Sequence, residues 1–110
     1  MTNDVGIIGA TGYTGSELTR IITHHNKVNL KMITSKSFAG KKISDIHPYL
    51  EGICDMELSK ISLDKVSDLD LVFLALPHGV SMKYVKDIGL DGPKIVDLSG
   101  DFRLKNKSTY

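Results

Sequence analysis

The sequence has little of several features that mark other classes of protein. Its 110 residues include a single cysteine, Cys54, so no intramolecular disulfide can form and a reducing, cytoplasmic location is expected. No apolar run is long enough to span a membrane, and no basic segment followed by an apolar core resembles a secretory signal. The net charge is only +1, which gives no electrostatic basis for binding nucleic acid.

Residues that could hold a metal or act as a nucleophile are also sparse. The four histidines include no pair with the spacing of a metal site, so we predict no metal. Nothing around Cys54 supplies the activating base that a nucleophile needs, which favours a structural role for this thiol. The remaining composition, with 41% hydrophobic and 25% charged residues, is typical of one small globular domain.

The most informative stretch lies near the start of the chain. Val5 to Gly9 is short and apolar, as expected of a strand buried on both faces of a parallel sheet. Glycines recur at every third position through Gly12 to Gly15, and a helical apolar pattern follows to about His25. Such a turn can hold a phosphate against a helix N-terminus, because glycine lets the backbone approach an anion closely. We predict a dinucleotide-binding unit; the alternative is a tight turn without a ligand.

The rest of the chain alternates strand and helix patterns. Residues 35–48 predict a long loop with up to one helical turn. Val28–Thr34 alternates at first and then becomes apolar, as a second strand would, and Asp70–Leu76 and Lys94–Leu98 have the pattern of buried strands. Met56–Leu58 could be a short strand. Gly79–Ile88 has the pattern of a helix, and Leu63–Leu69 that of a short helix or turn. This alternation predicts an α/β fold, a doubly wound parallel sheet of Rossmann type. Its strand ends should meet at one ligand-binding crevice.

The end of the second predicted strand bears on the choice of cofactor. A site for NAD usually has an acidic residue there to bind the ribose 2′-hydroxyl. This chain instead has Thr34, Ser35, Lys36 and Ser37, in which hydroxyls and an ammonium group can bind a 2′-phosphate. We therefore predict NADP(H) rather than NAD(H). The alternative is a polar loop whose lysine faces solvent.

Other polar residues at strand ends allow two interpretations each. His78 lies in a turn after a strand, where it either lines the cofactor pocket or is shaped by local structure alone. Asp101 and Arg103 follow the last predicted strand. An arginine there can bind a phosphate or carboxylate with two nitrogens, or form a surface salt bridge.

The chain resembles the N-acetyl-γ-glutamyl-phosphate reductase family, part of the wider semialdehyde dehydrogenase group. The resemblance covers almost the whole chain. It is carried by five groups of residues in order: Gly9–Gly15, Ser35 with Ala39–Lys41, His47-Pro48, Leu76–Gly79 and Asp97–Arg103. The most specific part of the resemblance is the combination of its first and last groups. The first reads glycine-alanine-threonine-glycine-tyrosine-threonine-glycine, and the last reads aspartate-leucine-serine-glycine-aspartate-phenylalanine-arginine.

The resemblance implies that NADPH reduces an acyl phosphate to a semialdehyde through a cysteine thioester. It assigns roles to twelve residues. The cofactor pyrophosphate would be held by Gly9, Thr11, Gly12, Tyr13, Thr14 and Gly15. The 2′-phosphate would be held by Ser35 and Lys36, and the cofactor would be bordered by Pro77 and His78. The substrate phosphate would lie near Ser99 and Arg103. We also expect a cytoplasmic protein that is a homo-oligomer at full length.

The family's catalytic cysteine lies in a glycine-cysteine-tyrosine-proline motif that this chain lacks. Cys54 has the context Gly52-Ile53-Cys54-Asp55, so the role is not transferred to it. We expect residues 1–110 to be an incomplete NAD(P)-binding domain with no catalytic residue, cut off just after the Arg103 loop and inactive alone. Two alternatives are a reductase acting on a substrate one carbon longer, in lysine biosynthesis, and a stand-alone dinucleotide-binding regulatory module.

Overall fold

A computed structural model of the protein describes residues 3–76, 78–89 and 92–98. Strands and helices alternate along these residues. The strands are β1 (Asn3–Ile8), β2 (Val28–Thr34), β3 (Leu71–Leu74) and β4 (Lys94–Asp97). The helices are α1 (Tyr13–Thr23), α2 (Ile43–Ile46), α3 (Leu63–Val66) and α4 (His78–Ile88), and a 3-10 turn covers Pro48–Leu50.

The four strands form one parallel sheet in the order β2-β1-β3-β4. The chain therefore winds outward from β1 in both directions, which confirms the predicted doubly wound α/β fold. Ile8 at the end of β1 pairs with Thr34 of β2 and with Leu74 of β3. Because the strands are parallel and in this register, their carboxyl ends lie side by side at one edge of the sheet.

Both faces of the sheet are covered. On one face Val5 and Ile7 of β1 pack in a cluster that includes Ile22 of α1. On the other face Ile8 belongs to a second cluster, against which Tyr84 of α4 packs. Successive residues of β1 thus enter opposite cores, which is why its sequence is continuously apolar rather than alternating.

Helix α1 lies close to the sheet because its inner face is made of small residues. Gly15, Ser16 and Thr19 are buried there together with Ile22. The two buried hydroxyls are satisfied within the helix, since Ser16 Oγ donates to the Tyr13 carbonyl at 3.0 Å and Thr19 Oγ1 to the Gly15 carbonyl at 2.8 Å. Burying them therefore leaves no unpaired polar group.

Some predicted elements differ from the structure. β4 is the edge strand of the described sheet, where Lys94 is exposed and Val96 is 37% exposed, so the prediction of a buried strand was wrong there. Near Met56–Leu58 only an isolated antiparallel bridge forms, between Lys42 and Glu57. A strand needs a continuous partner, and the segment has none among the described residues.

We predict that Gly15→Ala destabilises the fold while Gly12→Ala does not. A Cβ at Gly15 would overlap the Gly9 carbonyl oxygen and lie 2.8 Å from the Ala10 Cα, so backbone would have to move. At Gly12 the nearest atom would be 3.9 Å away. Thermal or denaturant unfolding should show a loss of about 2 kcal/mol or more for G15A and of less than about 1 kcal/mol for G12A. Equal losses would contradict this.

Candidate functional site

The turn between β1 and α1 and the first turn of α1 together contain three glycines with different structural roles. Gly9 has a φ of +85°, and a Cβ there would lie 2.6 Å from the Ala75 carbonyl oxygen. Gly15 is required by the close approach of α1 described above. Gly12 has an ordinary φ of −71°, and a Cβ there would lie no closer than 3.9 Å to another atom, the Gly9 carbonyl oxygen. The fold therefore requires Gly9 and Gly15, whereas Gly12 leaves room beside the helix N-terminus.

The N-terminus of α1 is suited to an anion. Gly12 is its N-cap and provides no side-chain hydrogen bond, and the first turn contains no acidic residue. The first helical bond runs from Ser16 N to Gly12 O at 2.9 Å, so the N–H groups of residues 12–15 precede the intrahelical ladder. These donors and the positive end of the helix dipole together favour a phosphate.

The end of β2 holds the turn in place. Thr34, which is buried, accepts hydrogen bonds from two turn residues: its side-chain oxygen from Gly9 N at 3.3 Å and its carbonyl from Ala10 N at 2.9 Å. The Thr11 and Ser35 hydroxyls lie 3.3 Å apart. Two of the segments that the sequence analysis assigned to the site are therefore in direct contact.

Ser35 is more deeply buried than a simple surface ligand. It is 4% exposed, its backbone N donates to Ser59 O at 3.0 Å, and its Oγ accepts from Phe38 N at 3.1 Å. A hydroxyl accepts two bonds and donates one. If the Thr11 hydroxyl donates to Ser35, the Ser35 proton remains for an anion.

A cavity of about 520 Å³ opens at the carboxyl ends of β1, β2 and β3. Its volume is in the usual range for small-ligand sites. One part of its lining is polar and cationic and the other is apolar. The polar part comprises Thr34, Ser35, Lys36 and Lys60, and the apolar part Ile8, Ile61, Leu76, Val80 and Tyr84, with Gly9 between them. The arrangement can bind a flat apolar group attached to an anionic one.

Lys60 was missed by the sequence analysis. Ser59 forms a parallel bridge with Thr34, and Ser59 N donates to Ile33 O at 3.0 Å. The bridge lays residues 59–61 along the end of β2, which brings Lys60 to the same cavity as Lys36. Nothing in the spacing of the two lysines signals this, because the contact depends on a loop that returns to the sheet.

His47 was assigned no role from the sequence, yet its ring contacts the glycine turn. Its Nε2 lies 2.6 Å from the Thr11 carbonyl oxygen. Its ring packs edge to face on Tyr49, with centroids 6.0 Å apart, and Tyr49 Oη donates to Glu17 at 3.2 Å. His47, just before the 3-10 turn, and Tyr49, within it, thus join the loop after β2 to the glycine turn and to α1.

The Glu17 carboxylate is also paired within α1. Arg20 donates to it at 2.9 Å as an ion pair. The Arg20 hydrogen bond holds the pKa of Glu17 below its usual value, although desolvation opposes it, and the Tyr49 hydrogen bond lowers this pKa further. The same hydrogen bond raises the pKa of Arg20. The pair is therefore charged at neutral pH, and Arg20 offsets the negative charge of α1.

Several predicted site residues are not described. Pro77, Ser99 and Arg103 lie outside the described residues, as do Asp101 and the side chain of His78, which begins α4. Cys54 is a free thiol buried among apolar residues of the first core cluster. Over the described ranges, no group of three or more metal-ligating side chains occurs. No helix of that part of the chain is long and apolar enough to cross a membrane.

Comparison with known proteins gives matches over nearly the whole chain. Residues 4–110 match the family described as semialdehyde dehydrogenase, NAD binding domain. The chain is 46% identical over 106 residues to N-acetyl-gamma-glutamyl-phosphate reductase of Acinetobacter baumannii. It is 49% identical over 107 residues to the LysW-L-2-aminoadipate/LysW-L-glutamate phosphate reductase of Saccharolobus solfataricus. Each match covers 96% of this chain but 30% of the relative, so the chain spans about a third of their length.

A solved structure shares the fold. Aspartate semialdehyde dehydrogenase from Candida albicans, solved with NADP, superposes with a TM-score of 0.76 at 21% sequence identity. The match covers 94% of this chain and 31% of that one. The parallel α/β architecture is therefore that of semialdehyde dehydrogenases.

We predict that Glu17→Gln lowers the melting temperature at pH 7 and that this difference shrinks as the pH falls to about 3, below an ordinary glutamate pKa. The pKa of Glu17 is lower in the folded chain than in the unfolded one. The Glu17 carboxylate therefore stabilises the fold above the unfolded pKa, and this stabilisation is lost as the pH falls through the folded pKa. Melting curves of both proteins across this pH range measure it. The exposed Glu51, changed to Gln, is the control. A difference as large at pH 3 as at pH 7 would contradict the prediction.

Proposed function

Because this chain belongs to the semialdehyde dehydrogenase NAD-binding domain family, we propose that it is the NADP(H)-binding part of an acyl-phosphate reductase. The proposed reaction interconverts N-acetyl-γ-glutamyl phosphate and N-acetylglutamate 5-semialdehyde, by similarity to the Acinetobacter relative. The observation that carries the cofactor assignment is the cavity at the strand ends, which combines two lysines with an apolar lining.

The glycine turn is the proposed pyrophosphate site. The N–H groups from Gly12 to Gly15 provide several donors at one helix end, and no acidic residue of the first turn competes with an anion. Thr11, Tyr13 and Thr14 contribute backbone N–H groups to this proposed site. The Tyr13 side chain is 85% exposed and does not occupy the space beside the helix N-terminus. Gly12 keeps the approach to these donors open.

The polar part of the cavity is the proposed 2′-phosphate site. Lys36 and Lys60 supply two positive charges, and Ser35 supplies a hydroxyl whose other bonds are already made by Thr11 and Phe38. Among the described residues, no acidic side chain lines this cavity to repel a phosphate. This charge balance favours NADP(H) over NAD(H) and agrees with the absence of an acid after β2.

The apolar part of the cavity suits the adenine ring. Ile61 and Leu76 come from the loops around the sheet edge, and Val80 and Tyr84 come from one face of α4, four residues apart. A flat base buried there would lie beside its own phosphorylated ribose. The two parts of the cavity therefore support the proposal of a site for an adenosine 2′-phosphate.

When bound, NADPH supplies the hydride for the reduction. The residues of this chain would bind and orient it, with Pro77 and His78 beside it and Ser99 and Arg103 near the substrate phosphate. We propose that the catalytic cysteine lies in the part of the relatives' length that this chain does not span, because Cys54 is buried in the core. Full-length reductase would act in the cytoplasm as a homo-oligomer.

A second candidate reaction uses a substrate of lysine biosynthesis. It is favoured by the 49% identity to the Saccharolobus reductase, whose name covers both aminoadipate and glutamate phosphates carried on LysW. The two candidates share the cofactor site and differ in the acyl group. With full-length protein, phosphate-dependent reduction of NADP⁺ by N-acetylglutamate 5-semialdehyde would support the first, and activity on the carrier-bound semialdehyde alone would support the second.

We predict that Gly12→Asp abolishes dinucleotide binding without unfolding the chain. Aspartate is a favourable N-cap, so the new carboxylate would bond the N–H groups of the first turn and repel a phosphate. Isothermal titration with NADP⁺ measures the loss, and a melting curve shows that the fold remains. Gly12→Ala, which adds no charge, is the control and should retain more affinity. Undiminished binding by G12D would exclude the turn as the anion site.

We predict that Lys60→Met weakens NADP⁺ binding about tenfold, because one hydrogen bond to a charged group is lost. The affinity for NAD⁺, which has no 2′-phosphate, should change less than about twofold. Lys36→Met should behave in the same way, because both lysines line the cavity. Lys27→Met, which removes an equal charge before the amino end of β2, should change neither affinity. Equal loss for both dinucleotides, or wild-type preference for NAD⁺, would overturn the 2′-phosphate assignment.

A further inference from the structure

We propose that His47 is a positioning residue for the pyrophosphate: its hydrogen bond to the Thr11 carbonyl turns the Gly12 N–H toward the bound anion. The inference rests on the proposed dinucleotide site and adds to it a residue from outside the glycine turn. It begins from the 2.6 Å separation between His47 Nε2 and Thr11 O. A carbonyl oxygen can only accept, so the proton of this bond lies on Nε2.

The Thr11 carbonyl has few other restraints. Ser16 N bonds to Gly12 O, so the helical ladder starts one residue after Thr11. Among the described residues, His47 is the hydrogen-bond donor found for this oxygen. Gly12 lacks a side chain, which makes rotation of the peptide between Thr11 and Gly12 sterically easy. The orientation of that peptide therefore depends on a partner outside the turn.

The geometry of the peptide unit transmits this restraint. In a trans peptide the C=O and the N–H of the next residue point in opposite directions within one plane. When His47 draws the Thr11 oxygen to one side of the turn, the Gly12 N–H is directed to the other. That N–H then joins those of Tyr13 and Thr14 at the start of α1, where the pyrophosphate is proposed to bind.

The position of the His47 ring does not depend on Thr11. Its backbone N donates to Ile43 O at 2.9 Å, and its own carbonyl accepts from Leu50 N at 2.9 Å. Ile43 and Leu50 are fully buried in the first core cluster. The Tyr49 ring packs on the imidazole and is itself bonded to Glu17. A histidine fixed in this way can hold a flexible peptide in one orientation.

The test compares His47→Gln with His47→Met. Both side chains are unbranched and of similar length, and the Gln amide nitrogen is the same number of bonds from Cα as histidine Nε2. Gln can therefore donate to Thr11 O, whereas Met cannot. The ligands are NADP⁺, NAD⁺ and adenosine 2′-monophosphate, which lacks a pyrophosphate. His24→Met removes an exposed histidine at the far end of α1 and is the control.

We expect H47M to weaken the binding of NADP⁺ and of NAD⁺ by the same factor, about tenfold. The affinity for adenosine 2′-monophosphate should be unchanged. H47Q should stay within about threefold of wild type for all three ligands, because it keeps the donor. Since Gln is uncharged, recovery by H47Q also excludes an effect of imidazolium charge. Loss of binding of all three ligands by H47M would indicate a purely structural role and overturn the proposal. Unchanged binding of both dinucleotides by H47M would also overturn it.

A measurement on the wild-type chain tests the same bond without substitution. Long-range ¹H–¹⁵N correlation should find a proton on His47 Nε2, and the Gly12 amide resonance should move with NADP⁺ but not with adenosine 2′-monophosphate. A bare Nε2 or an unmoved Gly12 amide would overturn the inference and leave the proposed function intact. If wild type binds none of the three ligands, the proposed function fails and the role of His47 fails with it.

Discussion

The structure depends on a contact between two stretches of backbone, where the start of α1 lies against the end of β1. Gly15 allows this contact, because a side chain there would overlap the Gly9 carbonyl oxygen. The helix N-terminus is thereby held beside the strand end rather than a side chain's width away. The orientation of the N–H donors, the position of the cavity and the packing of Ile22 in the core all follow from this approach.

The candidate site is assembled from three directions around this contact. β2 fixes the start of the turn through Thr34, and the segment bridged to β2 brings Lys60 to the cavity. The loop before the 3-10 turn reaches the middle of the glycine turn through His47. Each of these segments is anchored by buried residues, so the core supports the hydrogen bonds that the polar groups of the site make with one another.

The sequence predicted the elements whose signal is local. β1, α1, β2 and α4 have patterns of apolar residues or glycines within a single segment, and the structure confirms them near the expected bounds. The parallel order followed from their alternation. The exposure of β4 was not predicted, because an edge strand and a central strand of four residues can share the same apolar pattern. The pattern does not record which neighbours a strand has.

The site was predictable only where its residues adjoin a strand end. Ser35 and Lys36 follow β2 directly, and the structure places both at the cavity. Lys60 and His47 come from the long connection between β2 and β3, whose path is set by burial of Ile43, Leu50 and Leu58. No spacing in the sequence encodes where such a connection returns to the sheet, so both residues required the structure.

The different roles of the glycines also bear on how this domain can lose its ligand during evolution. We expect a substitution at Gly15 to destabilise the fold and the site together, because backbone atoms would have to move. Position 12 carries no comparable steric demand. A duplicated gene released from selection for dinucleotide binding could accept a side chain there and still yield an abundant, folded protein. In a set of diverged sequences, the residue at position 12 would therefore distinguish a domain that has kept its ligand from one that has kept only its shape.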